Sequence, residues 1–583
     1  MRSSPSFRRT LAALVFAASI ALVLALGAAR RAAPEHLDLD SRPYAALDPE
    51  GDWRRRQVTL ALVLGRAPSS DAFVEPHSRE LAWPPLLHTG AAIAIAWSSE
   101  RDGPPESGGV APGAIDAALA RFTLVLSLLG AVLAAALAGA AAPGAALALD
   151  LRSQARRRAA LTAAAVLTLS PLAVAAEHAS AFQSHGLVVL LTLAQLAASA
   201  FAFRARERVD GIVGALVAGV FAGAGFAAGW ETWPVSAACA VTFFLLAARS
   251  SGAARRDAVL PPILFGLSAL CIATVAIERV AWRELLPAFD GRARGILAQS
   301  LPRIGFFALS AVSGFWVLFA TRRDPFRATL LAGGALAFAL ALLDARFCAP
   351  AHAVLSVAVG LAAARDAASL RSTAQRIVFW CAPATVVAAL LWRGSDGERV
   401  ERALLERDAV RAALAELRET SPSPGPFNHP DGAQLWRVAS APALAGAIAH
   451  RARRPTLAAE LEHRSLPSAR EVASWFALDD AERFTEALDS RGARYVVVCA
   501  SMLADPELAG ALGAGSMLRR LLDPGSELAG WSCVHSQHSS AGAGDGSASC
   551  LCAIWRRVGS LDEPANGARP GPSLSSDPAG ESR

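Results

Sequence analysis

Long apolar blocks, rather than short alternating ones, dominate the chain from residue 11 to residue 392. A bilayer core of roughly 30 Å takes about 20 apolar residues per helix. Runs of that order fall at 11–29, 119–141, 159–176, 185–203, 210–229, 232–248, 259–277, 304–321, 327–343, 350–364 and 376–392. Each predicts a membrane-spanning helix, and the two short runs at 350–364 and 376–392 read equally as re-entrant segments. Residues 11–29 have arginines before them and the small-residue end LGAA, which fits either a first span or a cleaved signal peptide.

The polar residues between the blocks set the orientation. Arginine gathers in every second connection: the amino terminus (Arg2, Arg8, Arg9), LRSQARRR at 151–158, FRARER at 203–208, ARSSGAARR at 248–256, TRRDPFR at 321–327 and AARDAASLR at 363–371. The positive-inside rule makes these cytoplasmic. An odd number of spans then places the carboxy-terminal region outside, with the loops 30–118, 177–186 and 278–303. The expectation is a multi-pass protein of the inner or plasma membrane with an extracytoplasmic carboxy-terminal domain, surrounded by lipid over residues 1–392.

The pattern changes at 393. WRGSDGERVERALLERDAVRAALAELRET is charged with a helical period, and SPSPGP at 421–426 breaks it. Short apolar runs then alternate with amphipathic ones: LWRVAS, APALAGAIAHRA, RPTLAAEL, a helical stretch ending in DDAERFTEALDSRG, and RYVVVCA. Asp480 fits a helix N-cap and Gly492 the position after a helix end. This alternation predicts an α/β domain over 393–558 with a mixed or parallel sheet. The Ser-, Gly- and Pro-rich tail 559–583 is expected to be disordered.

Composition agrees: 583 residues are 53% hydrophobic and 18% charged, with a mean hydropathy of +0.36. All 56 basic residues are arginine, and much of the net charge of +6 lies in the short connections. It is therefore an orientation signal, not a sign of nucleic-acid binding. Cys239, Cys271, Cys348 and Cys381 fall in or beside spans and read as small apolar residues. Of Cys499, Cys533, Cys550 and Cys552 in the exported domain, Cys533 is expected to pair with Cys550 or Cys552 across two strands, WSCVHS and SCLCAIW. CLC is too closely spaced for a zinc knuckle.

Candidate chemistry starts at LDPEGDWRRR, residues 47–56. Asp48 then Pro49 is a helix start, with Gly65 ending a helix that runs through WRRRQVTLALVL. In the longer window 47–92, the helix is followed by Gly-Arg-x-Pro, Asp71 and WPPL at 83–86. This order resembles the first external loop of the oligosaccharyltransferase catalytic subunits, particularly the single-subunit archaeal and bacterial forms. The resemblance continues through EHASAFQSHG (177–186), GWETWP (229–234), ERVAWRELLPAFDGRARGILAQSLP (278–302) and LLDARFCAPAHAVLSVAVGLAAA (342–364). PGPFNHPDG, AIAHRARRPTLAAEL and RYVVV resemble the soluble domain of the bacterial members.

The resemblance implies a polytopic all-α membrane domain of the type-C glycosyltransferase kind, with about 11–13 transmembrane helices, followed by an exported α/β soluble domain. It also implies transfer of an oligosaccharide from a polyprenyl-diphosphate carrier to asparagine of an acceptor protein or peptide. Asp48 or Asp52 would take the catalytic acidic role. Asp48, Glu177, His178 and His185 would hold Mg²⁺ or Mn²⁺, hard cations suited to oxygen ligands. Arginines at an outer lipid surface suit phosphate, so Arg54 and Arg55 with Arg56, together with Gln299 and Arg346, would meet the lipid-linked substrate and its acceptor.

The sequence departs from the family at named places. Gln183-Ser184-His185 stands where the second acidic motif is expected, Gln299 where the loop glutamate is expected, and Asp52 where His is frequent. Residues 440–446, SAPALAG, lack the tryptophan and aspartate of the acceptor motif. Two alternatives follow: a type-C transferase using a polyprenyl-monophosphate sugar, or a non-catalytic relative that binds lipid or glycan. His88 reads as an interfacial residue. Arg346, at an outer span end, reads as either functional or snorkelling.

Overall fold

The computed structural model describes residues 5–33, 36, 46–64, 85–99, 112–142, 149–176, 184–250, 253–277, 301–365, 373–392, 396–419, 437–457, 466–504, 512–523, 525–538 and 550–558. Glu177, His178, Gln299, Gly65, Asp71, the 421–426 breaker and the 559–583 tail lie outside them.

Every apolar block is helical. The bundle comprises α1 (Pro5–Ala32), α4 (Pro112–Ala141), α5 (Leu149–Leu169), α6 (Pro171–Ala176), α7 (His185–Arg204), α8 (Arg208–Ala228), α9 (Trp233–Arg249), α10 (Ala253–Ile277), α11 (Leu301–Ala320), α12 (Pro325–Leu343), α13 (Cys348–Ala363) and α14 (Thr373–Leu391). Between α1 and α4 stand α2 (Pro49–Leu64) and α3 (Pro85–Ser99). Among the described residues, seven helices are long and apolar enough to cross a membrane, and the shorter apolar helices include α9 and stretches of α10 and α14. The chain is a multi-pass membrane protein. Bulky residues such as Leu14, Leu22, Phe244 and Leu270 face outward from the bundle, as hydrocarbon solvation permits.

Two details differ from the sequence pattern. The block 159–176 is divided at Ser170, because Pro171 has no N–H to continue a helix and instead opens α6. LRSQARRR is not a loop but the first part of α5.

Small residues let the helices approach closely. On α8, Gly219 and Gly223 form a small-xxx-small pair against α10. A Cβ at Gly219 would lie 2.4 Å from the carbonyl oxygen of Phe265, and one at Gly223 would lie 2.6 Å from that of Ala269.

The two ends of the bundle differ chemically. At one end the arginine-rich connections meet: Arg204 Nη1 donates to Ala140 O at 3.3 Å, Arg327 Nη2 donates to Ala141 O at 2.9 Å, and the Arg204 guanidinium lies over Phe326. The opposite ends of the same helices carry Asp116 at the start of α4 and the adjoining turns Trp230–Thr232 and Ala345–Phe347.

After the bundle comes a smaller, sheet-containing region. It holds α15 (Gly397–Glu419), β1 (Arg437–Ala439), α16 (Pro442–Ala447) running into a π-helical turn (Ile448–Ala452), α17 (Leu466–Ala477), α18 (Ala481–Ser490), β2 (Ala493–Cys499), α19 (Met517–Leu521), β3 (Trp531–His538) and β4 (Cys550–Arg557). The sheet is mixed, in the order β1-β2-β4-β3, with β1 parallel to β2 and the other pairs antiparallel. Asp480 caps α18 by accepting from the N–H groups of Glu482 and Arg483, and Gly492 follows the helix with φ +68°. The Val496–Val498 run of β2 is fully buried.

The expected Cys533 disulfide is not formed. The strand register sets Cys533 opposite Trp555 and places Cys552 between Cys499 and Gln537, and all eight cysteines are free thiols. Burial, the carboxylate of Glu406 and the neighbouring thiol of Cys552 hold Cys499 well above the usual thiol range, and burial with neighbouring Cys533 lifts Cys550 to about 11.

Candidate functional site at the junction of α2, α4 and the carboxy-terminal region

The local sequence of α2 creates the site. Asp48 is the N-cap, and its Oδ1 accepts from the Gly51 N–H at 3.2 Å while its carbonyl accepts from the Asp52 N–H at 3.0 Å. Its φ is +50°, a left-handed conformation that costs a non-glycine residue free energy and is here imposed directly before a proline. Gly51 is required by that turn, because a Cβ there would lie 1.7 Å from Asp48 Oδ2.

Residues 48, 52 and 55 lie on one face at helical spacing. Arg55 Nη1 is 2.9 Å from Asp48 Oδ2 and 3.1 Å from Asp52 Oδ1, and its Nε is 2.9 Å from Oδ1 of Asp116 on α4. A second guanidinium arrives from the carboxy-terminal region: Arg451 Nη2 is 3.1 Å from Asp52 Oδ1 and 3.2 Å from Asp116 Oδ2. Asp48, Asp52 and Arg55 are buried, whereas Asp116 keeps 24% of its side chain exposed and Arg451 keeps 12%.

Packing explains how Arg451 comes to be there. Leu47 joins the core of the carboxy-terminal region, Ala46 packs with Val400 of α15, and α16 and the π-helical turn lie against α2. The turn aims Arg451 at the acids and ends at Arg453, whose φ is +53°. Asp48 and Arg453 are the two non-glycine residues with positive φ among the described residues, and both adjoin this cluster.

The electrostatics follow from burial and these neighbours. Burial lowers the proton affinity of Arg55, but Asp48, Asp52 and Asp116 more than offset it, so Arg55 is held above the ordinary arginine range. Arg451 is raised in the same way, burial being outweighed by Asp52 and Asp116. Burial and the positive charges of Arg451, Arg55 and Arg56 push His450 well below its usual value, against the pull of Asp116. Burial with Arg451 and Arg407 lowers Arg411.

The expected site residues therefore divide. Asp48 and Asp52 come together, with Asp116. Arg55 does not face phosphate or headgroups as expected, because it is buried and turned into the three carboxylates; Arg56 is also buried, and Arg54 is half-buried. His185 opens α7 with its ring 6.1 Å from that of His352. No three His, Cys, Asp or Glu residues gather in a way that could hold a metal among the described residues, and of the expected quartet only Asp48 and His185 lie within them. Arg346 is gripped by Asp344: its Nε lies 3.0 Å and its Nη2 2.9 Å from Oδ2, and Asp344, fully buried, also accepts the Arg346 backbone N–H. His88 is buried.

The fit of Mg²⁺ or Mn²⁺ is decided by the donor oxygens. Oδ2 of Asp48, Oδ1 of Asp52 and both oxygens of Asp116 are already within 3.2 Å of a guanidinium nitrogen. Arranged in this way, the carboxylates do not fit a divalent cation, which needs them at roughly 2.0–2.6 Å around a single point.

The sequence reading missed Asp116, Arg411, Arg451 and Asp344. Asp116 is a lone acid near the start of a long apolar helix, and Arg451 is one of three arginines in HRARR.

Neither a family model nor a curated protein matches the chain. Among solved structures, the archaeal oligosaccharyltransferase AglB from Archaeoglobus fulgidus, in complex with an inhibitory peptide and a dolichol-phosphate, superposes with a TM-score of 0.59 at 14% identity, covering 90% of this chain and 80% of that one. The apo form of the A. fulgidus enzyme gives 0.59 at 13% identity, with coverage of 89% and 80%. A form tethered to an acceptor peptide containing the NVT sequon gives 0.55 at 12% identity, with coverage of 94% and 75%. The chain has the type-C glycosyltransferase fold of the oligosaccharyltransferases. That fold consists of a helical membrane bundle followed by a sheet-containing region, and in this chain the Asp48–Asp52–Asp116 cluster lies where the two meet.

Proposed function

We propose that this chain is a membrane glycosyltransferase that moves a glycan from a polyprenyl-phosphate carrier at the outer face of the cell membrane. Its closest form is the oligosaccharyltransferase reaction, with a diphosphate leaving group and an asparagine of an acceptor protein or peptide as nucleophile. The observation that carries this reading is the convergence of Asp52 and Asp116 with Arg451 at the end of the bundle opposite its arginine-rich connections. Residues 1–392 form the membrane domain and 393–558 the extracytoplasmic domain in this reading, and the positive-inside rule places the cluster outside.

In the reaction, the bond between the sugar C1 and the carrier oxygen breaks, the electron pair leaves on phosphate, and a lone pair of the acceptor forms the new bond to C1. The acceptor proton passes to a carboxylate. Asp116, partly exposed, and Asp52, its partner on Arg451, are assigned to face the acceptor and take that proton. Asp48 is assigned to capping α2 and fixing Arg55. Arg346, anchored by Asp344 with 31% of its side chain exposed, and half-buried Arg54 are assigned to the departing phosphate. Gln299 is assigned to hydrogen bonding with the acceptor.

One observation favours a second form, in which the donor is a polyprenyl-monophosphate sugar. The first-loop carboxylates are already matched with side-chain cations, and a monophosphate demands less added positive charge than a diphosphate as it leaves. The test supplies the purified protein with both donors and with sequon-containing peptide, and measures glycan release from each lipid. Transfer to peptide from the diphosphate supports the first form, and turnover of only the monophosphate donor supports the second. No turnover of either overturns the assignment and leaves a binding protein.

A further inference from the structure

The carboxylate cluster carries an internal cation supplied from far along the chain. Arg451 bridges Asp52 and Asp116, which lie on two different helices of the amino-terminal part, and Arg55 bridges both of them and Asp48. Bridging carboxylates from separate elements is what a multivalent cation does in an oxygen-ligand site. A guanidinium also does it, with several N–H donors in a fixed plane.

We propose that Arg451, with Arg55, stands where a divalent cation would otherwise sit, so that this chain keeps its α2 and α4 carboxylates together without taking up a metal there. The expectation of a cation rests on the glycosyltransferase reading, but the replacement is argued from geometry and is tested without activity.

Three observations support it. Charge is nearly matched, since three carboxylates face two guanidiniums, and Arg411 stands close enough to Asp52 and Asp116 to feel their charge. A divalent ion would overshoot that balance. Arg451 is also held in place: the π-helical turn packs on both α2 and α15, Leu47 is sealed into the carboxy-terminal core, and Arg451 is mostly buried. Finally, the left-handed backbone at Asp48 and Arg453 is strained for a non-glycine residue and persists only where the surroundings enforce it. The two strained residues lie at the two elements that this ion-pair network joins.

The consequence for function is that the carboxy-terminal region completes the site by supplying its cation, and is not merely appended to it.

Manganese alone is the probe. The full chain, purified in detergent and stripped with chelator, is titrated with Mn²⁺ while free Mn²⁺ is followed by electron paramagnetic resonance. The wild type is expected to show no stoichiometric site below millimolar concentration. Arg451→Gln, which keeps most of the side-chain volume, is expected to gain one site at least tenfold tighter, and adding Asp52→Asn to it is expected to remove that site. Arg451→Met serves if the glutamine variant does not fold, as judged by size exclusion and circular dichroism. One tight Mn²⁺ in the wild type that Asp52→Asn abolishes overturns the proposal. The absence of binding in both wild type and folded Arg451 variant overturns it equally, because the guanidinium then replaces nothing. Either result leaves the transfer assay, and with it the glycosyltransferase reading, untouched.

Discussion

Arg451 Nη2 lies 3.1 Å from Asp52 Oδ1, joining the carboxy-terminal region to the first polar helix across 399 residues of sequence. The contact ties folding of the two parts to the assembly of one charged site, in which Arg451 from the carboxy-terminal region joins Arg55 on Asp52 and Asp116.

Removing Arg451 is expected to destabilise the protein. Breaking a buried ion pair from one side costs roughly 3–5 kcal/mol, and the lower end applies because Asp52 and Asp116 both keep Arg55. Arg451→Ala should lower the thermal midpoint in detergent, and Arg451→Lys should recover only part of it, since an ammonium is a point charge and does not span two carboxylates as a planar fork does. An unchanged midpoint in Arg451→Ala would show that the pair contributes nothing.

Asp48 combines a cap, an ion pair and a left-handed backbone, and its substitutions should rank accordingly. Asp48→Asn keeps the cap and tolerates positive φ, losing only the charge toward Arg55. Asp48→Ala loses the cap as well, a further cost of about 1 kcal/mol, and fits the left-handed conformation poorly. Chemical denaturation should give wild type above Asn above Ala. Gly51→Ala should behave like Asp48→Ala, because its methyl group displaces the Asp48 carboxylate.

His450 makes stability fall in mild acid. Its folded value is pushed well below 6.5 by burial and by Arg451, Arg55 and Arg56, so below about pH 6.5 the unfolded chain binds a proton that the folded chain does not. The stability associated with neutral His450 is complete above that pH and is lost as pH falls toward the folded value, at no more than about 1.4 kcal/mol per pH unit. Thermal midpoints measured from pH 7.5 to 5.5 should decline, and His450→Gln should flatten that decline.

The free thiols predict insensitivity to reductant. With Cys533 opposite Trp555 and no bridge to Cys550 or Cys552, dithiothreitol should leave the thermal midpoint unchanged. A drop of several degrees would reveal a disulfide.

Much of the fold was legible because membrane solvation writes itself into composition. The apolar blocks became helices, one of them broken at Ser170, and the Asp480 cap, the Gly492 terminus and the strands at RYVVVCA, WSCVHS and SCLCAIW lay where local patterns placed them. The site was only half legible. Asp48 and Asp52 are neighbours on one helix face, so their spacing exposes them. Asp116 and Arg451 reach the same point through tertiary packing, and in the sequence each looks ordinary, a lone acid near a helix start and one arginine among many. The role given to Arg55 missed for a related reason: an arginine at a lipid interface suggests phosphate, but once buried it takes the carboxylates that folding brings to it.

Whether the junction cluster performs glycan transfer is decided by rates of glycan release from polyprenyl-linked donor for Asp52→Asn and Asp116→Asn, each shown to be folded. Both variants are expected to lose at least about a hundredfold in rate while retaining the wild-type elution profile and helical content. Full activity in both folded variants would rule out a catalytic role for the cluster.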